Sequence, residues 1–120
     1  MDAYGIPTAE VVELKCDTLF PTIVICGSHK FGNEFYCTIA HDLTMKGWAV
    51  WGLYFGDKDA VYDNMQMHML WEIHCQKIRH ADAIFVVNKD GYIGEGTAKE
   101  IEYAKKFGLT IYYLEPPKES

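Results

Sequence analysis

Two short apolar runs, residues 22–26 (TIVIC) and 83–87 (AIFVV), constrain this chain more than any other feature. Neither alternates apolar with polar residues, so a strand built from either is covered on both faces, as in a parallel sheet. The first stops at Gly27 and the second at Asn88, each opening a polar, glycine-containing loop. Between and after them the spacing turns helical. Phe35, Ile39 and Leu43 lie four apart and predict a helix over 33–46, stopped by Gly47. A second strand is expected over 48–55, interrupted by Gly52 and ended by Gly56. A long helix follows over 59–80, with Met65, Met69, Ile73 and Ile78 as its apolar stripe. After the third strand and a glycine-rich loop over 88–96 come a helix over 97–107, stopped by Gly108, and a fourth strand over 109–114. Residues 1–20 carry only a weak helical pattern (Val11, Val12, Leu14) and support no assignment.

Strands alternating with helices predict βαβ units. The expected architecture is a flavodoxin-like three-layer sandwich with a parallel sheet of about four or five strands, formed by residues 1–120 as one domain. Ligands in such sheets sit beyond the carboxyl ends of the strands. Three loops leave from there, 27–32, 56–59 and 88–96, and the candidate chemistry lies in or beside them.

Charge narrows the partner. Eleven basic against seventeen acidic residues give a net charge of −6, which argues against a nucleic-acid polymer, since that requires a basic face. The longest apolar stretches, about six residues, fall far short of the roughly 20 needed to span a bilayer. No membrane partner is expected. Cys16, Cys26, Cys37 and Cys75 form no CxxC pair and follow no secretory segment. They are read as reduced thiols in a cytoplasmic protein.

The loop Gly27-Ser28-His29-Lys30-Phe31-Gly32 follows a strand and opens a helix, a place where backbone N–H groups, a hydroxyl and an ammonium can hold an anion. The same residues also suit a plain turn. In the second loop, Asn88, Tyr92, Gly94 and Gly96 precede Thr97-Ala98-Lys99-Glu100, whose spacing spells a capping box, with Thr97 as cap and Glu100 reaching back. On the long helix His68 and Glu72 share a face, but His74 points elsewhere, so no metal site is expected there. By itself His74 reads as a surface histidine, reaching the carboxyl-end loops only if the helix doubles back.

The stretch 74–104 (HCQKIRHADAIFVVNKDGYIGEGTAKEIEYA) resembles the core signature of the nucleoside 2-deoxyribosyltransferase-like superfamily. That group includes the deoxyribosyltransferases and the nucleoside 5′-monophosphate N-glycoside hydrolases. The matching features are Ile78 with Ala81-Asp82 at a helix end, the apolar strand 83–87, and Gly96-Thr97-Ala98-Lys99-Glu100 leading into Tyr103-Ala104. Gly27-Ser28-His29-Lys30 is similar to the G-S-x-R phosphate-side loop of the hydrolase branch, with Lys for Arg. The chain is similar also to small bacterial and phage proteins carrying CGS-x-[RK]-F and GYIGE-[SG]-T-x-x-EI-x-YA.

The resemblance implies cleavage of an N-glycosidic bond in a nucleoside or nucleotide, without a cofactor. It makes Glu100 the nucleophile and sets His74 where the transferases carry an aspartate that assists proton transfer. Gly94 stands where they have an aspartate and the hydrolases a phosphate-binding serine, and Val24 near the transferases' tyrosine. Ser28 and Lys30 would hold a 5′-phosphate, and Tyr54, Phe55 or Tyr92 would stack on the base. Absent two or three of the family's catalytic residue types, the chain also suits a non-catalytic nucleotide-binding or sensing module. Related folds complete their sites across subunits, and Trp48, Trp51, Trp71 and the Met-rich helix offer an interface, so a homo-oligomer is expected.

Overall fold

The computed structural model describes residues 5–11, 13–52 and 61–117. Four strands, β1 (Thr22–Gly27), β2 (Ala49–Trp51), β3 (Ala83–Val87) and β4 (Thr110–Tyr113), form one sheet in the order β2-β1-β3-β4. Every neighbouring pair is parallel. Three helices connect them: α1 (Asn33–Met45), α2 (Asn64–Arg79) and α3 (Glu95–Lys106). This is the flavodoxin-like three-layer sandwich that the alternating pattern predicts, with four strands.

The two central strands explain the layering. Side chains alternate across a strand, and with no polar residue between Ile23 and Cys26 or between Ala83 and Val87 both faces must be covered. Ile23, Ile25, Phe85 and Val87 face α1 and pack with Tyr36, Ile39, Leu43 and Trp48. Val24, Cys26, Ile84 and Val86 face the other way and meet Ile78 of α2 and Ile101 and Ala104 of α3. Residues 5–11, for which the sequence supported no assignment, run without regular structure over the α1 side. There the Gly5 N–H donates to the Leu114 carbonyl at 2.9 Å, the Ala9 N–H to that of Lys46 at 2.8 Å, and the Trp48 indole to that of Pro7 at 2.9 Å.

Gly47 and Gly108 end α1 and α3 as expected, at φ of 96° and 71°. Both close Schellman motifs: the Trp48 N–H returns to the Leu43 carbonyl, and the Leu109 N–H to that of Ala104, at 3.1 Å each. α2 differs from its expected form. It begins at Asn64, where Asp63 and Gln66 build a capping box from each other's backbone and side-chain groups. Of its expected apolar stripe, Ile78 is buried as expected, but Met65, Met69 and Ile73 are exposed, and Cys75 joins Ile78 on the buried face. The expected strand 48–55 spans only Ala49–Trp51 among the described residues, and its outer part, with Tyr54, Phe55 and the 56–59 loop, lies outside them.

The strand order places the switch point between β1 and β3, whose carboxyl ends pair side by side at Gly27 and Val87.

Candidate active site

Three side chains from three elements converge below the carboxyl end of β1. Cys26, the penultimate residue of β1, is fully buried among α2 and α3. Glu100 lies on the inward face of α3 with Thr97, Ile101 and Ala104, and is 7% exposed. Midway along α2, His74 turns inward beside Cys75. Its Nε2 lies in direct contact with Glu100 Oε2 and 3.5 Å from Cys26 Sγ. No doubling back is needed to bring it there, because α2 is one unbroken helix packed along α3. Arg79 laces the two together, donating to the Tyr103 hydroxyl at 2.6 Å, and Trp71 meets the Tyr103 ring edge-on.

The capping box over Thr97–Glu100 is not formed. α3 starts two residues earlier than the sequence implies, with Gly94 at the cap and no side-chain cap bond. Thr97 and Glu100 thereby fall within the first and second turns of the helix, where their side chains are buried against the sheet instead of capping it. The sequence reading missed this because T-x-x-E fits a helix start and a buried i, i+3 pair equally well.

The Glu100 charge is felt by its neighbours. Burial, then the charge and hydrogen bonding of Glu100, hold the Cys26 thiol well above its ordinary value, which keeps it protonated. Burial foremost, then Glu100 and Cys26, also raise the Tyr36 hydroxyl. That hydroxyl donates to the Ser28 carbonyl at 2.5 Å. A Cβ at Gly27 would collide with the Tyr36 hydroxyl and touch Val87 Cβ at 3.0 Å. Gly27 therefore makes room for Tyr36, which joins the first loop to the buried cluster.

In that loop, residues His29–Phe31 form a short 3-10 turn. The N–H groups of Lys30, Phe31 and Gly32 are engaged within it, donating to Ser28 Oγ and to the Ser28 and His29 carbonyls. The Lys30 ammonium lies 3.3 Å from the centroid of the Tyr92 ring, bridging the two loops through a cation–π contact, with Phe31 edge-on to the same ring. In the second loop Asn88 is buried with both ends of its amide occupied. It donates to the Glu115 carbonyl and accepts from the Glu115 N–H, at 2.9 Å each. Asn88 therefore ties the loop to the end of β4 and presents no free amide to a ligand. Gly94 caps α3 with the Tyr92 hydroxyl close beside it, and a Cβ at Gly96 would meet only open space.

The structure thus brings together His74 and Glu100, and separately Lys30, Phe31 and Tyr92. His68 instead pairs with Glu72 at 3.4 Å on the exposed face of α2. Cys26 and Tyr36 are the residues the sequence did not single out. A cysteine inside an apolar run reads as core, and the usable signal was its place at a strand's carboxyl end just before Gly27. A shallow groove between β2 and α2, lined by Val50, Trp51, Ile73 and Lys77, lies apart from all of these. No helix among the described residues is long and apolar enough to cross a membrane. Compared with protein-family models and with curated proteins, the chain matches none.

Proposed function

We propose that this protein cleaves the N-glycosidic bond of a nucleoside or nucleoside 5′-monophosphate, with Glu100 as nucleophile and His74 as proton donor. One observation carries the reading: a buried carboxylate at the carboxyl end of a parallel sheet, in contact with an imidazole from a neighbouring helix. The resemblance of residues 74–104 to the deoxyribosyltransferase-like signature supplies the substrate class.

In the first step a Glu100 oxygen attacks the anomeric carbon as the bond to the base breaks, through an oxocarbenium-like transition state. The bonding pair leaves with the base nitrogen, which takes a proton from His74. A glycosyl ester on Glu100 remains. Water, deprotonated by His74, releases the free sugar, and a second base in its place gives a transferase. Acid and nucleophile in a retaining site stand roughly 5–5.5 Å apart, whereas His74 and Glu100 touch. The sugar ring must therefore enter between them and break their contact. Lys30 moves from the Tyr92 ring to a 5′-phosphate, which frees the ring to stack on the base.

The test is Glu100→Gln against a panel of nucleosides and nucleoside monophosphates, with free base followed by chromatography alongside the melting temperature. Base release should fall by several orders of magnitude, because an amide forms no glycosyl ester, while the fold persists. Turnover near the parental rate would exclude the mechanism. Tight binding with no release by the parent chain would favour the binding module.

A further inference from the structure

We propose that Cys26, His74 and Glu100 form a binding site for one zinc-class divalent metal ion, with three protein ligands and a fourth position open. Sγ, Nε2 and a carboxylate oxygen, one donor from each residue, all lie within 4.8 Å of one another. Two atoms bound to one tetrahedral zinc at about 2.3 Å (S) and 2.0–2.1 Å (N) stand roughly 3.6 Å apart. The Cys26 Sγ to His74 Nε2 distance is 3.5 Å. The His74–Glu100 contact has to open, to the roughly 3.3 Å between nitrogen and oxygen ligands of the same ion.

The alternative reading of the trio is a catalytic Cys-His-Glu relay, and its geometry argues against that. A relay imidazole uses one ring nitrogen for the nucleophile and the other for the acid. Here both partners meet the same atom, Nε2. Three donor atoms within 4.8 Å of one another are what an ion requires.

Charge and placement agree. A thiolate and a carboxylate bring two negative charges, which one dication neutralises in a site where Cys26 is wholly buried. The ion would displace the thiol proton, since a coordinating thiol is deprotonated outright. The ligands come from β1, α2 and α3, so the packed core holds them in place. The His74 and Glu100 side chains are 13% and 9% exposed, which leaves a path for the ion and a fourth position for water. Sulfur and imidazole favour zinc, cobalt or copper over magnesium or calcium. The proposal stands on this geometry and does not rest on the glycosidic reading. An ion held between His74 and Glu100 engages Nε2, the atom facing Glu100 that would carry the proton, and fills the space a sugar must enter, so metal binding and glycosyl transfer exclude each other at this site.

Cobalt(II) tests it without any substrate. Metal-stripped protein, kept reduced with a phosphine, is titrated with cobalt(II) and followed in the near ultraviolet and visible. The expected result is a thiolate-to-cobalt charge-transfer band and intense tetrahedral bands that saturate at one cobalt per chain and disappear when zinc displaces it. Cys26→Ser abolishes the charge-transfer band. His74→Ala and Glu100→Gln, at sites nearer solvent, weaken binding by about a hundredfold or more, beyond the effect of losing a mere supporting contact. Cys75→Ser and Cys37→Ser leave the spectrum intact. No charge-transfer band in the parent chain, or binding unchanged in both His74→Ala and Glu100→Gln, overturns the site. Should Cys26→Ser fail to fold, those two variants decide the question.

Discussion

Tyr36 joins the core to the first loop through one hydroxyl. Its ring packs in the α1-side core, and its O–H satisfies the Ser28 carbonyl where the chain leaves β1. Tyr36→Phe removes the donor and leaves a carbonyl to find another partner. Urea unfolding at pH 7 should show a loss of about 1–2 kcal/mol. The pH dependence has a fixed sign. Burial and the nearby Glu100 charge raise the native hydroxyl above its ordinary 10.0, so above pH 10 the unfolded chain releases a proton that the native one keeps. Stability from this source is complete below pH 10 and is lost as the pH climbs further. The phenylalanine variant should lose stability less steeply there, and identical slopes would refute this role. At the same scale, Cys26 explains why part of the site was illegible in sequence. Its chemistry comes from His74 and Glu100, which stand 48 and, by subtraction (100 − 26), 74 residues along the chain, and no local spacing encodes either distance.

At the scale of the element, α2 carries the clearest test. Its start depends on the reciprocal bonds of Asp63 and Gln66, so Asp63→Ala should cost about 1 kcal/mol, read from urea melts. Met65→Lys and Met69→Lys should each change stability by under roughly 0.5 kcal/mol, because both side chains are exposed. The inward stripe expected from their spacing would instead make both changes severe. The difference lies in what periodicity encodes. In β3 every residue is apolar and buried, so AIFVV was read with its true boundaries. In α1 the spacing of Ile39 and Leu43 marks the buried face correctly. α2 has apolar residues on more than one face, and the face that packs is the one carrying His74, Cys75 and Ile78, which a hydrophobic count undervalues. The parallel sheet and its helices were thus legible, while the direction a polar side chain faces depended on tertiary packing.

For the whole molecule, the sheet's two faces share their load through β1 and β3. Phe85 is fully buried on the α1 side and pairs in register with Ile25 and Tyr112. Phe85→Ala should cost about 3–5 kcal/mol, a large part of the 5–15 kcal/mol that ordinarily holds a domain together. Chemical denaturation of the two proteins measures the difference directly. The segment over residues 5–11 bears on the order of assembly. Gly5 precedes its partner Leu114 by 109 residues, by subtraction, and Ala9 and Trp48 tie the same stretch to the end of α1. A chain made from its N-terminus makes this segment well before β4, yet cannot fasten Gly5 until β4 has emerged. Closing so long a span is slow compared with pairing neighbouring strands. The clasp therefore sets late, locking a sheet that has already assembled, and it is where a young chain stays open longest.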